Sequence, residues 1–157
     1  MSRVQLALNV SDVDAAVAFY SRLFGAEPAK RRPGYANFAI AEPPLKLVLI
    51  ESDGRPGTLN HLGVEVEDSA MVQAAITTFV DNDLATDVQE GTTCCYAVQD
   101  KVWVTDPDGA RWEVYTVLAD ADVMACTPNA EGDACSTSPA GTTDTAVAAG
   151  ARPSSCC

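Results

Sequence analysis

At the start of the chain apolar and polar positions alternate: Val4, Leu6, Leu8 and Val10 fall on one side, Gln5 and Ala7 on the other. A period of two is the signature of a strand with one buried face. The pattern returns in the segment beginning at His61, where Leu62, Val64 and Val66 repeat the apolar set and His61 and Gly63 take the places of Gln5 and Ala7. The chain reads as an internal duplication. After each of these strands the apolar spacing changes to three and four. Val13, Ala16, Val17, Tyr20 and Phe24 predict one helix, and Val72, Ala75, Ile76, Phe79 and Val80 a second. Ser11 with Asp14, and Asp68 or Ser69, are the candidate N-caps.

Three shorter strands complete each half, at about residues 29–32, 35–40 and 45–51, then 86–89, 96–104 and 111–117. Arg32-Pro33-Gly34, Glu42-Pro43-Pro44 and Asp106-Pro107-Asp108-Gly109 punctuate them. Strand, helix and three strands, twice over, predict an α+β fold of two βαβββ modules, about 3–52 and 58–118, each with a mostly antiparallel sheet and its helix on one side. From Ala119 to Cys157 the periodicity gives way to Ala, Thr, Ser, Pro and Gly with scattered acids. This composition predicts a disordered tail, leaving 1–118 as the folded domain.

The faces have chemical consequences. If the apolar set of each long strand meets the helix, Gln5 and His61 share the helix-free face, and Ala7 and Gly63 leave space beside them. Glu113 lies in the last strand between Trp112, Val114 and Tyr115, where a buried carboxylate needs a partner. Taken alone, the single histidine would be a satisfied core or surface residue; its equivalence to Gln5 in the repeat favours a ligand. One amide oxygen, one imidazole and one carboxylate from three strands make a facial metal-binding set with open positions.

Length and composition narrow the partners. A chain of 157 residues with 47% hydrophobic content fits one compact domain. A net charge of -12 disfavours nucleic acid and anionic membrane surfaces, so a small molecule is the expected ligand. No apolar run approaches the ~20 residues of a membrane span, and Met1-Ser2-Arg3 leads directly into the first strand rather than a signal-peptide core. The expected compartment is the cytoplasm, where the six cysteines would stay reduced and serve as ligands or reactive thiols.

These residues carry a family resemblance. Phe19-Tyr20-Ser21-Arg22-Leu23-Phe24-Gly25, Asn60-His61-Leu62-Gly63, and Asp106-Pro107-Asp108-Gly109 leading into Trp112-Glu113-Val114 resemble the vicinal oxygen chelate superfamily of glyoxalases, bleomycin-resistance proteins and extradiol dioxygenases, over about residues 3 to 118. The resemblance implies a cupped sheet and metal ligands at Gln5, His61 and Glu113. Extradiol enzymes carry a histidine where this chain has Gln5. The implied ion is Fe(II), with Zn(II), Mn(II) and Ni(II) left open.

Gly91-Thr92-Thr93-Cys94-Cys95-Tyr96 is the most specific stretch of the chain. Adjacent side chains of a regular strand point to opposite faces, so Cys94 and Cys95 can grip one atom only where the backbone turns; a loop between the sixth and seventh strands is expected. Two thiolates suit a soft centre such as trivalent arsenic. The pair could also be two small buried hydrophobes.

With Tyr35-Ala36-Asn37-Phe38, Pro44-Leu45-Lys46-Leu47 and Gln99-Asp100-Lys101-Val102-Trp103, the stretch is similar to the carbon-arsenic lyase branch, whose relatives are the cadmium-induced proteins. That branch implies Fe(II)-dependent oxidative cleavage of trivalent organoarsenicals with O₂ as co-substrate, the arsenical on Cys94 and Cys95, and Lys101 and Tyr96 orienting substrate or oxygen. Two other readings stand beside it. One is an arsenite- or cadmium-sequestering protein; the other is a glyoxalase-like thiol-dependent lyase or transferase. Of the tail cysteines, Cys126 and Cys135 read as inconsequential thiols, while for Cys156 and Cys157 delivery of arsenic to the pair and no role at all both stay open. In the superfamily the halves close one cup or exchange across a homodimer, which is the expected assembly.

Overall fold

The computed structural model describes residues 2–52 and 55–124. The elements run β1 (Arg3–Val10), α1 (Val13–Phe24), β2 (Lys30–Arg32), β3 (Tyr35–Ile40), β4 (Leu45–Glu51), β5 (Leu59–Glu65), α2 (Ser69–Asp81), β6 (Asp87–Cys94), β7 (Ala97–Thr105) and β8 (Arg111–Asp120). The eight strands form one sheet in the order β2-β3-β4-β1-β5-β8-β7-β6. That order is a palindrome of the two modules, with the antiparallel β1–β5 pair as its seam and the parallel pairs β1–β4 and β5–β8 beside it. The remaining neighbours are antiparallel.

Each helix starts on an aspartate. Asp12 accepts hydrogen bonds from the N–H groups of Asp14 and Ala15, and Asp68 accepts from Met71. The first cap is thus Asp12, which replaces the expected Ser11 with Asp14: its carboxylate stands where it reaches two orphan donors at once. Helix α1 ends on Gly25 in the left-handed conformation, φ +61°. Its buried Val13 and Val17 pack with Ala36, Phe38, Ile40, Leu47 and Leu49, flanked by Leu6, Leu8, Val10, Ala16, Tyr20 and Phe24. This is the apolar side of β1 expected from its alternation.

The opposite face is concave and has its own apolar cluster, Ala7, Tyr35, Val48, Ile50, Cys94 and Tyr96, which joins the two modules. The sheet curls until β2 and β3 meet the β6–β7 turn. The rings of Tyr35 and Tyr96 lie 5.4 Å apart, the Lys30 ammonium donates to the Tyr96 carbonyl at 2.9 Å and pairs with Asp120, and the Arg32 guanidinium stands 5.9 Å from the Tyr96 ring.

Two elements run further than the sequence pattern. Strand β8 continues through Ala119 and Asp120, which pair with Val98 and Ala97. Strand β6 reaches Cys94 because Gly91, at φ +58°, absorbs a register slip between Gln89 and Thr92; the Gly-Thr-Thr run makes a bulge rather than ending the strand. Cys126, Cys135, Cys156 and Cys157, and with them most of the expected tail, lie outside the described residues. Among the described residues no helix is long and apolar enough to cross a membrane.

Candidate metal centre and cysteine turn

Gln5, His61 and Glu113 sit on β1, β5 and β8, three neighbours in the sheet, and each is no more than 5% exposed. Their polar atoms form a triangle. Gln5 Nε2 lies 3.0 Å from His61 Nε2 and 2.7 Å from Glu113 Oε1, and His61 Nε2 lies 3.2 Å from Glu113 Oε1. All three donors belong to one chain.

The register explains how three side chains share so little space. Gly63 pairs with Gln5 across the seam and with Glu113 across β5–β8, and Ala7 pairs with His61. A Cβ on Gly63 would come within 2.9 Å of Glu113 Cγ and 3.4 Å of Gln5 Nε2. Gly63→Ala should therefore push the Glu113 side chain aside while leaving the fold intact. We expect divalent-metal affinity to fall by about 10- to 100-fold, measured by calorimetric titration, with an unchanged circular dichroism spectrum; wild-type affinity would show that the triangle does not hold the ion.

The triangle fits a metal on its spacing. Ligand bonds of ~2.1 Å at right angles hold neighbouring donors ~3.0 Å apart, and the observed separations of 2.7 to 3.2 Å bracket that value. A half-turn of the Gln5 amide, which exchanges Nε2 for Oε1 without changing its shape, completes an oxygen, nitrogen, oxygen set. No group of three or more His, Cys, Asp and Glu residues is placed to hold an ion among the described residues; here the third donor is an amide.

The surroundings orient these groups. In the seam pairing Ala7 faces His61 and Leu8 faces Leu59, so Asn60 is a bulge residue. Its Oδ1 lies 2.8 Å from His61 Nδ1, and its Nδ2 donates to Asn9 Oδ1 at 2.9 Å. With a metal bound, a proton held on Nδ1 by Asn60 would leave the Nε2 lone pair directed into the triangle. Trp103 closes one side, its ring 5.2 Å from the imidazole and nearly perpendicular. Before that half-turn Tyr115 donates its hydroxyl proton to Gln5 Oε1, and after it the phenol oxygen accepts from Nε2; burial and the charges of Glu65 and Glu113 raise its pKa well above the usual phenol value, so the phenol stays neutral in both arrangements.

Glu113 also meets Lys101, whose Nζ lies 3.1 Å from Oε2 with both side chains almost wholly buried. Burial works against its ionisation, but the Lys101 charge and the His61 hydrogen bond outweigh it and draw the pKa to about 2. It is a carboxylate at any physiological pH.

Cys94 ends β6, fully buried, and Cys95 and Tyr96 form the two-residue turn into β7 at φ +54° and +61°. Two left-handed residues in succession describe a type I′ hairpin turn, a place for Asn-Gly. Non-glycine residues held in that region concentrate at functional sites. The expected loop is thus a tight turn with Cys94 still in the strand. The two sulfurs are 3.2 Å apart, near enough for one atom to bridge them and too far for a bond to each other. Cys95 is disulfide-bonded, which departs from the fully reduced set expected from composition, so a dithiol requires reduction of that bond.

Cys94 shares its apolar cluster with Ala7, the cross-strand neighbour of His61. Tyr35 packs in the same cluster as Cys94; burial above all, opposed by the Asn37 hydrogen bond and reinforced by the charges of Cys94 and Glu113, pushes its pKa to about 12. The Tyr96 hydroxyl is directed at the Pro33 carbonyl, 3.4 Å away, on the wall of the cup. Sequence reasoning assigned no role of their own to Asn60, Trp103, Tyr115 and Gln99. Only Asn60 carried a local signal, its place beside the single histidine.

Residues 3–114 match the Glyoxalase/Bleomycin resistance protein/Dioxygenase superfamily. The chain is 66% identical over 128 residues to the cadmium-induced protein CadI of Mycobacterium tuberculosis, covering 82% of this chain and 84% of that one. It is 61% identical over 142 residues to a trivalent organoarsenical cleaving enzyme of Thermomonospora curvata, covering 85% and 94%. Among solved structures, the Mn(II)-bound glyoxalase of Novosphingobium aromaticivorans superposes with a TM-score of 0.55 at 20% identity, over 77% of this chain and 42% of that one; that likeness concerns the fold.

Proposed function

The chain belongs to the Glyoxalase/Bleomycin resistance protein/Dioxygenase superfamily, and within it we propose an enzyme that cleaves the carbon-arsenic bond of trivalent organoarsenicals to release arsenite. The observation that carries this reading is the meeting of the Gln5, His61 and Glu113 head groups within 2.7 to 3.2 Å, on the same concave face of one cup as a pair of sulfurs. The 61% identity to an organoarsenical cleaving enzyme supports it.

Gln5, His61 and Glu113 would hold the metal, Fe(II) in this reading, with Zn(II), Mn(II) and Ni(II) as other ions the donors accept. When bound, it supplies the activation of O₂, the oxidant of the reaction. The chain's own residues do the rest. Cys94 and Cys95, once both are thiols, exchange the two arsenic-bound hydroxyls for sulfur with loss of two waters, leaving the organic group on arsenic. Tyr35, Tyr96 and Ala7 make an apolar wall that keeps water from the arsenic centre. Lys101 holds the far oxygen of Glu113, so that the near one faces the triangle. Tyr96, clamped by Lys30 and Tyr35, fixes the turn that presents the sulfurs.

With Fe(II) and air, the reduced protein is expected to convert methylarsenite to arsenite, followed by chromatography with arsenic detection; without O₂ it should bind the arsenical and release nothing. Equal turnover with Zn(II) in the absence of O₂ would rule the oxidative mechanism out. A second reading, sequestration of soft ions without turnover, draws on the 66% identity to a protein named for its induction by cadmium.

A further inference from the structure

Between the donor triangle and the cysteine turn lies a polar group that the fold leaves unexplained. Gln99 is 5% exposed, and its Oε1 is fully buried with no hydrogen-bond partner. Such an acceptor costs about 1 to 3 kcal/mol of lost hydration, and exceptions of this kind call for a reason.

Its direction follows from β7. Asp100 turns to the helix side, where its carboxylate meets the Ser69 hydroxyl and the Gly91 N–H. Gln99 and Lys101 therefore face the cup, and Lys101 reaches Glu113. Across the β6–β7 ladder Gln99 stands opposite buried Thr92, with Cys94 one step further on the same face, opposite Ala97. A residue diagonal across a ladder is within reach of a long side chain. Gln99 Oε1 is thus a dry acceptor on the face that carries Cys94, diagonal to it across the ladder and on the side toward Lys101.

Resting on the reading of the cup as an arsenical site, we propose that Gln99 receives the arsenic-bound hydroxyl of the substrate during capture. A trivalent organoarsenical in water carries one carbon and two hydroxyls. When Cys94 attacks, an arsenic-sulfur bond forms, an arsenic-oxygen bond breaks, and the thiol proton leaves with the hydroxide as water. No oxidation state changes. The remaining arsenic-bound O–H donates to Gln99 Oε1, which holds the half-captured arsenical until the Cys95 thiol displaces that hydroxyl as a second water. Gln99 is a substrate-binding residue of the capture step, indifferent to the organic group.

The test measures capture separately from cleavage. Wild type, Gln99→Leu and Gln99→Glu are kept as dithiols with a phosphine reductant and mixed with methylarsenite, phenylarsenite or 4-aminophenylarsenite under stopped flow, following tryptophan fluorescence. Gln99→Leu is expected to slow capture about tenfold for all three compounds, the loss of about one good hydrogen bond. In steady state that loss should fall on KM rather than kcat. Gln99→Glu, which keeps an acceptor at the same reach, should stay within about threefold of wild type. Because Gln99→Leu removes an unsatisfied buried group, its melting temperature should hold or rise; a fall would mark Gln99 as a structural residue. Unchanged capture in Gln99→Leu would overturn the proposal, and so would a loss confined to 4-aminophenylarsenite, since the acceptor would then be reading the ring. If wild type captures but never cleaves, the cleavage reading fails while the capture rates still decide the role of Gln99.

Discussion

His61→Ala should lower arsenite release from methylarsenite by more than about 100-fold while leaving the arsenical bound. Losing a residue that merely supports a metal ligand costs up to about 100-fold, and His61 supplies the nitrogen of the donor triangle itself. The sulfurs of Cys94 and Cys95 stand on another ladder, in a cluster one of whose members, Ala7, is the cross-strand neighbour of the histidine. Binding is read from arsenic retained on the reduced protein after gel filtration, cleavage from arsenite released in air with Fe(II). Retained cleavage would place the reaction elsewhere. Loss of both would mean that the two centres cannot be separated, and a protein that binds but does not cleave even as wild type would favour sequestration.

The second large effect concerns stability. Lys101→Met is expected to destabilise the metal-free protein by about 3 to 5 kcal/mol, the usual result of removing one member of a buried ion pair. Lys101 and Glu113 are 2% and 4% exposed and stand 3.1 Å apart, so the variant strands a carboxylate in the interior. A divalent ion on Glu113 supplies the missing positive charge, so adding metal should recover more stability in Lys101→Met than in wild type, as measured by urea titration with and without metal. Acid provides a check of sign. Glu113 titrates near 2 in the folded protein, below its ordinary value of 4.5, so its contribution is complete above pH 4.5 and lost as pH falls through about 2. In Lys101→Met the wild-type loss of stability over that interval should largely vanish. A variant as stable as wild type, with the same acid limb, would show that the pair contributes little.

The donor triangle could be anticipated from sequence because it obeys periodicity. Gln5 and His61 occupy equivalent places in two alternating strands, which puts them on one face by periodicity alone, and Glu113 stands out as a carboxylate among aromatic and branched neighbours. What surrounds the triangle breaks the period. Asn60 acts on His61 only because the seam slips by one residue there, and no alternation announces a slip. Cys94 belongs to β6 because a bulge at Gly91 lets pairing resume at Thr92. The turn after it uses Cys95 and Tyr96 where Asn and Gly would be expected, so its geometry had no residue signal. Closure of the cup by Lys30, Tyr35, Tyr96 and Asp120 joins residues from opposite ends of the sheet. Gln99 reads from sequence as an ordinary strand amide; only its burial and its unmet oxygen set it apart.

The parallel pairs flanking the seam have one more implication. Gly63 lies beside Glu113, and its counterpart in the first module, Ala7, lies beside Val48. Duplication therefore provides four symmetry-related stations around the centre, and the fourth holds an aliphatic residue that packs in the cluster containing Cys94. Were the three polar stations to ligate an ion, the greasy fourth would leave its unfilled quadrant toward the cluster that holds Cys94. A single valine would thus separate a closed, four-cornered ion cage from one with a doorway for a guest.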